Sequence, residues 1–116
     1  MPAVSPFPSG YLTFLGLIIM PRQQKRISYL SDITLEGASG RRQVRISDLS
    51  LGGCFVDSIS THSVGDEVKL LISDADGREM EFDGKVAWLS GGVGFGVHFV
   101  GMDDENVKFL RSIVEG

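Results

Sequence analysis

The chain has a single cysteine, Cys54, so it forms no internal disulfide and nothing in it calls for an oxidising compartment. With one cysteine, two histidines, His62 and His98, and no metal-ligand spacing among them, a zinc site is not expected. No nucleophile and base are set out as a catalytic pair, so an enzyme is not expected. Long hydrophobic runs are also missing. The apolar stretch "YLTFLGLIIM", residues 11 to 20, falls short of the roughly 18 to 20 residues a helix needs to cross a bilayer. It has neither the basic flank nor the small-residue cleavage site of a secretory signal. The sequence therefore predicts no membrane span, no export and a cytoplasmic location. Proline is scarce, with 4 residues against 15 glycines, and Val, Ile, Leu and Phe are plentiful, which points to strands joined by tight turns.

What is present suits one small domain. A chain of 116 residues, 42% hydrophobic, supports one core and is too short for two. The net charge of -4 hides an asymmetry: residues 1 to 45 hold six Lys or Arg against two acids, and residues 46 to 116 hold five against thirteen. The acidic remainder would repel a long polyanion, so a nucleic-acid duplex is a poor partner, whereas a small anion could dock on the basic part. Residues 1 to 19 read as an N-terminal extension, non-native or disordered, ahead of an alternative start at Met20. The other reading is an added strand or short helix over a hydrophobic edge. Residues 20 to 116 form the domain.

From Arg26 onward the chain reads as strands. "RISYLSDITLEG", "RRQVRISDLS" and "GGCFVDSIS" give three, "GDEVKLLIS" and "REMEFDGKVAWLS" flank a "DADG" hairpin turn, and "GFGVHFVGM" gives a sixth. "DADG" is too short for a calcium loop and lacks the closing glutamate. In "DDENVKFLRSIVEG" the period changes, with Val107, Leu110, Ile113 and Val114 on one face behind Asp103 and Asp104, which suit a helix start better than a catalytic acid pair. The expected fold is all-β with one helix: a six-stranded antiparallel β-barrel with a C-terminal α-helix. Trp88 is expected in core or helix packing, with stacking on a base as the alternative, and Cys54 as a small strand residue.

Two clusters carry the functional signal. "RQQKR", residues 22 to 26, places Arg22 and Arg26 in a segment just ahead of the first strand, where guanidinium groups can clamp a phosphate or the O6/N7 edge of guanine; the bland alternative is a solvated arm. "DLSLGG", residues 48 to 53, sets Asp48, Ser50 and Gly53 at a strand junction. There Asp and Ser can bond backbone N–H groups, and Gly can take a positive φ. An exposed carboxylate at that place can also accept the N1–H and N2–H of guanine.

Together these clusters resemble the PilZ domain, a bacterial family known chiefly as receptors for cyclic di-GMP. Its Arg-x-x-x-Arg motif is matched by residues 22 to 26 and its Asp/Asn-x-Ser-x-x-Gly motif by residues 48 to 53, in the family's order and with one hairpin between them. The later "GDEVKLLI", "GKVAWLS" and "GFGVHFV" segments are similar too, so the likeness spans residues 20 to 114. It implies that Arg22 and Arg26 bond guanine Hoogsteen edges and phosphates while Asp48, Ser50 and Gly53 line the other side of the pocket. It also implies that the arginine segment orders on binding and signals to a protein partner in motility, secretion or biofilm machinery, with no cofactor. Family members with a further arginine directly before the first motif tend to hold two intercalated ligands; Pro21 in that place favours one. Two rivals remain: a PilZ-like adaptor that needs no nucleotide, and a small barrel that binds single-stranded nucleic acid, against which the acidic second half speaks.

Overall fold

The computed structural model describes residues 25–59 and 62–116. The expectations for residues 1 to 19 and for Arg22 lie outside the described residues. Six antiparallel strands, β1 (Arg26–Gly37), β2 (Gly40–Ser50), β3 (Gly53–Asp57), β4 (Glu67–Ser73), β5 (Glu79–Ser90) and β6 (Gly94–Val100), close into a barrel in the order β1-β2-β3-β6-β5-β4, and helix α1 (Asp104–Val114) follows. Fold class and strand content agree with the sequence expectation. Among the described residues, no helix is long and apolar enough to cross a membrane.

Alternation builds the core. Ile33 and Leu35 of β1, Val68, Leu70 and Ile72 of β4, Phe82 and Val86 of β5, and Phe95, Val97 and Phe99 of β6 point inward and are buried. Tight turns hold the hairpins. Gly40 (φ 113) closes β1 to β2, and Gly77 (φ 84) closes β4 to β5, where the Asp74 carboxylate accepts from the N–H groups of Asp76 and Arg78 at 2.9 Å each.

The helix closes one end of the barrel. Asp103, in extended conformation, caps it: its carboxylate accepts from Asn106 N–H at 2.8 Å, and the Asn106 side chain accepts from Asp103 N–H at 3.2 Å. Asn106 also donates to the Glu81 carbonyl at 3.1 Å, which pins the helix start to β5. Phe109, Leu110 and Val114 turn inward, and the Phe109 ring lies 6.0 Å from Phe82, itself 5.0 Å from Phe99. Phe109 is an anchor that the Val107-Leu110-Ile113-Val114 pattern leaves out.

Two register shifts decide what the barrel shows to solvent. Ile46 and Leu49 are both fully buried although they lie an odd step of three positions apart, because the β2–β3 ladder shifts between Ile46 and Asp48. Strict alternation would send Asp48 inward with Ile46; the bulge turns it outward instead. The β5–β6 ladder shifts in the same way between Val86 and Trp88, so Trp88 leaves the core side on which Val86 sits. Core or helix packing of Trp88 is thereby corrected: its side chain lies on the outer face, 46% exposed.

Candidate ligand-binding face

The two shifts bring a set of side chains onto one outer face. Arg26 is the first residue of β1, paired with Ser50 of β2, so the strand reading of "RISYLSDITLEG" holds for it and its placement in a segment ahead of the strand does not. The ladder places it two residues from Asp48, and its Nε donates to Asp48 Oδ2 at 3.1 Å. The pair is partly open to solvent, so its own contribution to stability is small. Its geometry matters more. One carboxylate oxygen is taken, while the other, Oδ1, is buried and has no hydrogen-bond partner among the described residues. A buried acceptor left unmatched costs free energy until a donor reaches it. Asp48 is thus half-buried within β2 rather than an exposed turn residue.

Ser50 and Gly53 frame the two-residue link from β2 to β3. The Ser50 hydroxyl is buried; it accepts from the N–H groups of Gly52 and Gly53 at 3.2 Å each and donates to the Gly53 carbonyl at 3.3 Å. One donor and two acceptor positions exhaust a hydroxyl. Ser50 therefore shapes the turn, and any bond to a ligand would have to displace one of these. Gly53 does not take the positive φ expected of it. It is glycine because β3 and β6 run so close there that a Cβ would collide with the Val97 carbonyl oxygen.

The neighbour that completes the face is an aromatic pair, of which sequence reasoning offered only Trp88, as the alternative to its core packing, and missed Phe55. Across the strands the register runs Ser28, Asp48, Phe55, Gly96, Trp88. Phe55 and Trp88 stack with ring centroids 5.2 Å apart, and the Trp88 indole lies over Gly96, where a Cβ would collide with it. Neighbouring strands are about 4.8 Å apart, so this aromatic pair begins one strand away from the Arg26–Asp48 ion pair. Phe55, flanked by buried Cys54 and Val56, was legible as an outward position; its meeting with Trp88 depends on the bulge. Beneath the face, burial pushes the Cys54 thiol up to about 12, the Asp48 carboxylate adding to the shift and Arg26 opposing it. Cys54 is a core residue, and among the described residues there is no cluster of His, Cys, Asp or Glu that could hold a metal ion.

A charged guanidinium, an acceptor short of a donor and a flat aromatic surface suit a ligand with both anionic groups and planar hydrogen-bonding rings. No curated protein sequence matches this chain, whereas solved structures of similar fold do. The Bacillus subtilis inhibitor of motility MotI/DgrA matches with TM-score 0.68 and 14% identity over 84% of this chain and 50% of that one, so the present chain spans half of its length. The PilZ domain of Escherichia coli YcgR with c-di-GMP matches with TM-score 0.69 and 17% identity, covering 83% of this chain and 90% of that domain. Borreliella burgdorferi PlzA in complex with c-di-GMP gives TM-score 0.62 and 19% identity over 81% and 41% of the two chains. At these identities the likeness establishes the fold. The PilZ domain model matches residues 21–116, and the chain belongs to the PilZ domain family.

Proposed function

We propose that the protein is a non-enzymatic receptor for cyclic di-GMP, which binds on the outer barrel face at Arg26, Asp48 and Gly53. Arg22, four residues before Arg26, joins them, and Ser50 holds the β2–β3 turn in shape. Arg26 keeps its Nε on Asp48 and offers its terminal nitrogens to a phosphate or a guanine edge. The orphaned Asp48 Oδ1 takes a guanine N–H. Phe55 and Trp88 give a base a surface to stack on, and Gly53 and Gly96 keep the strands beneath it free of side chains. The observation that carries this reading is the Arg26–Asp48 pair with its unmatched oxygen, in a chain of a family whose solved relatives include c-di-GMP complexes.

On binding, the segment that holds Arg22 closes over the ligand, and the new surface passes the signal to a protein partner, with motility machinery the first class to test because the inhibitor of motility MotI/DgrA shares the fold. Isothermal titration with cyclic di-GMP, beside GTP and cyclic di-AMP, tests the receptor. Selective binding is expected, with one ligand per chain. Absence of binding at high micromolar concentration would leave an adaptor that works without nucleotide.

A further inference from the structure

Seven of the ten Lys and Arg side chains among the described residues are paired with a carboxylate. Lys85 is not, and neither its side chain nor that of His98 makes a hydrogen bond or ion pair with another described residue. Both are exposed. The two stand together by register: His98 of β6 is opposite Gly53 of β3 on one side and Lys85 of β5 on the other. The Lys85 and His98 side chains point outward, since buried Val86, Val97 and Phe99 occupy the alternating inward positions beside them. Glu67 of β4 faces Lys85 in the ladder without coming into ion-pair range.

This row lies next to the aromatic row, across the barrel face from Arg26. From Asp48 on β2 to Lys85 on β5 is three strand spacings, roughly 14 Å along the sheet. Between them lie the Phe55–Trp88 stack, whose indole covers Gly96, and, in the next row, Gly53, which carries no side chain. A cyclic dinucleotide has two phosphates on opposite sides of its ring, and Arg26 reaches it only from the β1 side.

We infer that Lys85 and His98 form the far wall of the ligand face and hold the phosphate that Arg26 cannot reach, as a cation and a ring N–H donor respectively. This assignment rests on the receptor reading above. It accounts for a lysine left without a carboxylate beside Glu67.

The test is isothermal titration with cyclic di-GMP of the full chain, of a Lys85→Ala/His98→Ala double variant and of Arg42→Ala. Arg42 is a control: an exposed, unpaired cation six residues from Asp48 toward the other end of β2. Unchanged melting temperatures check that both variants fold. The double variant is expected to bind about five- to twentyfold more weakly, and Arg42→Ala to stay within about twofold, because a direct phosphate contact is worth more than a diffuse field. Equal affinity of the double variant and the wild type would overturn this inference alone, and so would an equal loss in both variants. A wild type that takes up no cyclic di-GMP would overturn the receptor reading, and the far wall with it.

Discussion

Arg26 and Asp48 restrain each other before any ligand arrives. The bond at 3.1 Å fixes one edge of the guanidinium and leaves the other edge outward, so the arginine is partly oriented for a second acceptor. Arg26→Ala removes that donor and leaves both Asp48 oxygens unmatched. Binding of cyclic di-GMP should weaken at least tenfold, about what the loss of one charge-assisted hydrogen bond costs, and titration of the variant checks it. Wild-type affinity in that variant would make Arg26 a bystander. Cys54 offers a separate check on the layer beneath. Its pKa is raised from 9.0 to about 12 in the folded chain, so the folded state holds its proton more tightly than the unfolded one. The stability it contributes is complete below pH 9.0 and is lost as pH rises toward about 12, by at most about 1.4 kcal/mol per pH unit. At pH 8 the thiol should resist iodoacetamide in the native protein and react once denaturant unfolds it. Rapid native labelling would show that the floor of the face opens.

The strands and the helix were legible because alternation and turn residues mark them plainly. "RISYLSDITLEG" coincides with β1, and the other strands differ from their expected segments by a few residues at the ends. What could not be read were the register shifts, since one extra residue leaves the apolar pattern of β2 and β5 looking continuous. That is why Asp48 was placed in a turn and Trp88 in the core. Gly53 was read as a turn glycine because nothing local reveals that β6, more than forty residues later, passes against it. Gly53→Ala should therefore cost about 1 to 3 kcal/mol, an overpacking penalty against backbone that cannot rotate away. A melting temperature unchanged in that variant would show that β3 and β6 have room to part. At the helix, Asp103→Ala removes the carboxylate that caps Asn106 N–H. A loss of about 1 kcal/mol is expected in chemical denaturation.

For the whole molecule, the barrel separates two tasks. One end is sealed by the helix through Phe109, Leu110 and Val114, which stabilises the core, while the outer face of β1, β2, β3, β6 and β5 carries the groups proposed to meet the ligand. The six-stranded order, in which β3 and β6 are neighbours, is what brings Asp48, Phe55, Gly96 and Trp88 into one row, and no short motif contains that information. The two motifs revealed one side of the face; the aromatic pair and the Lys85–His98 row appear only when the barrel closes. A single titration of isotope-labelled protein with cyclic di-GMP, followed by amide and indole chemical shifts, tests the account most directly. The largest changes should fall on Arg26 to Ser28, Asp48 to Phe55, Gly96 to His98 and the Trp88 indole N–H. Changes confined to β4 and the helix, or no changes at all, would contradict it.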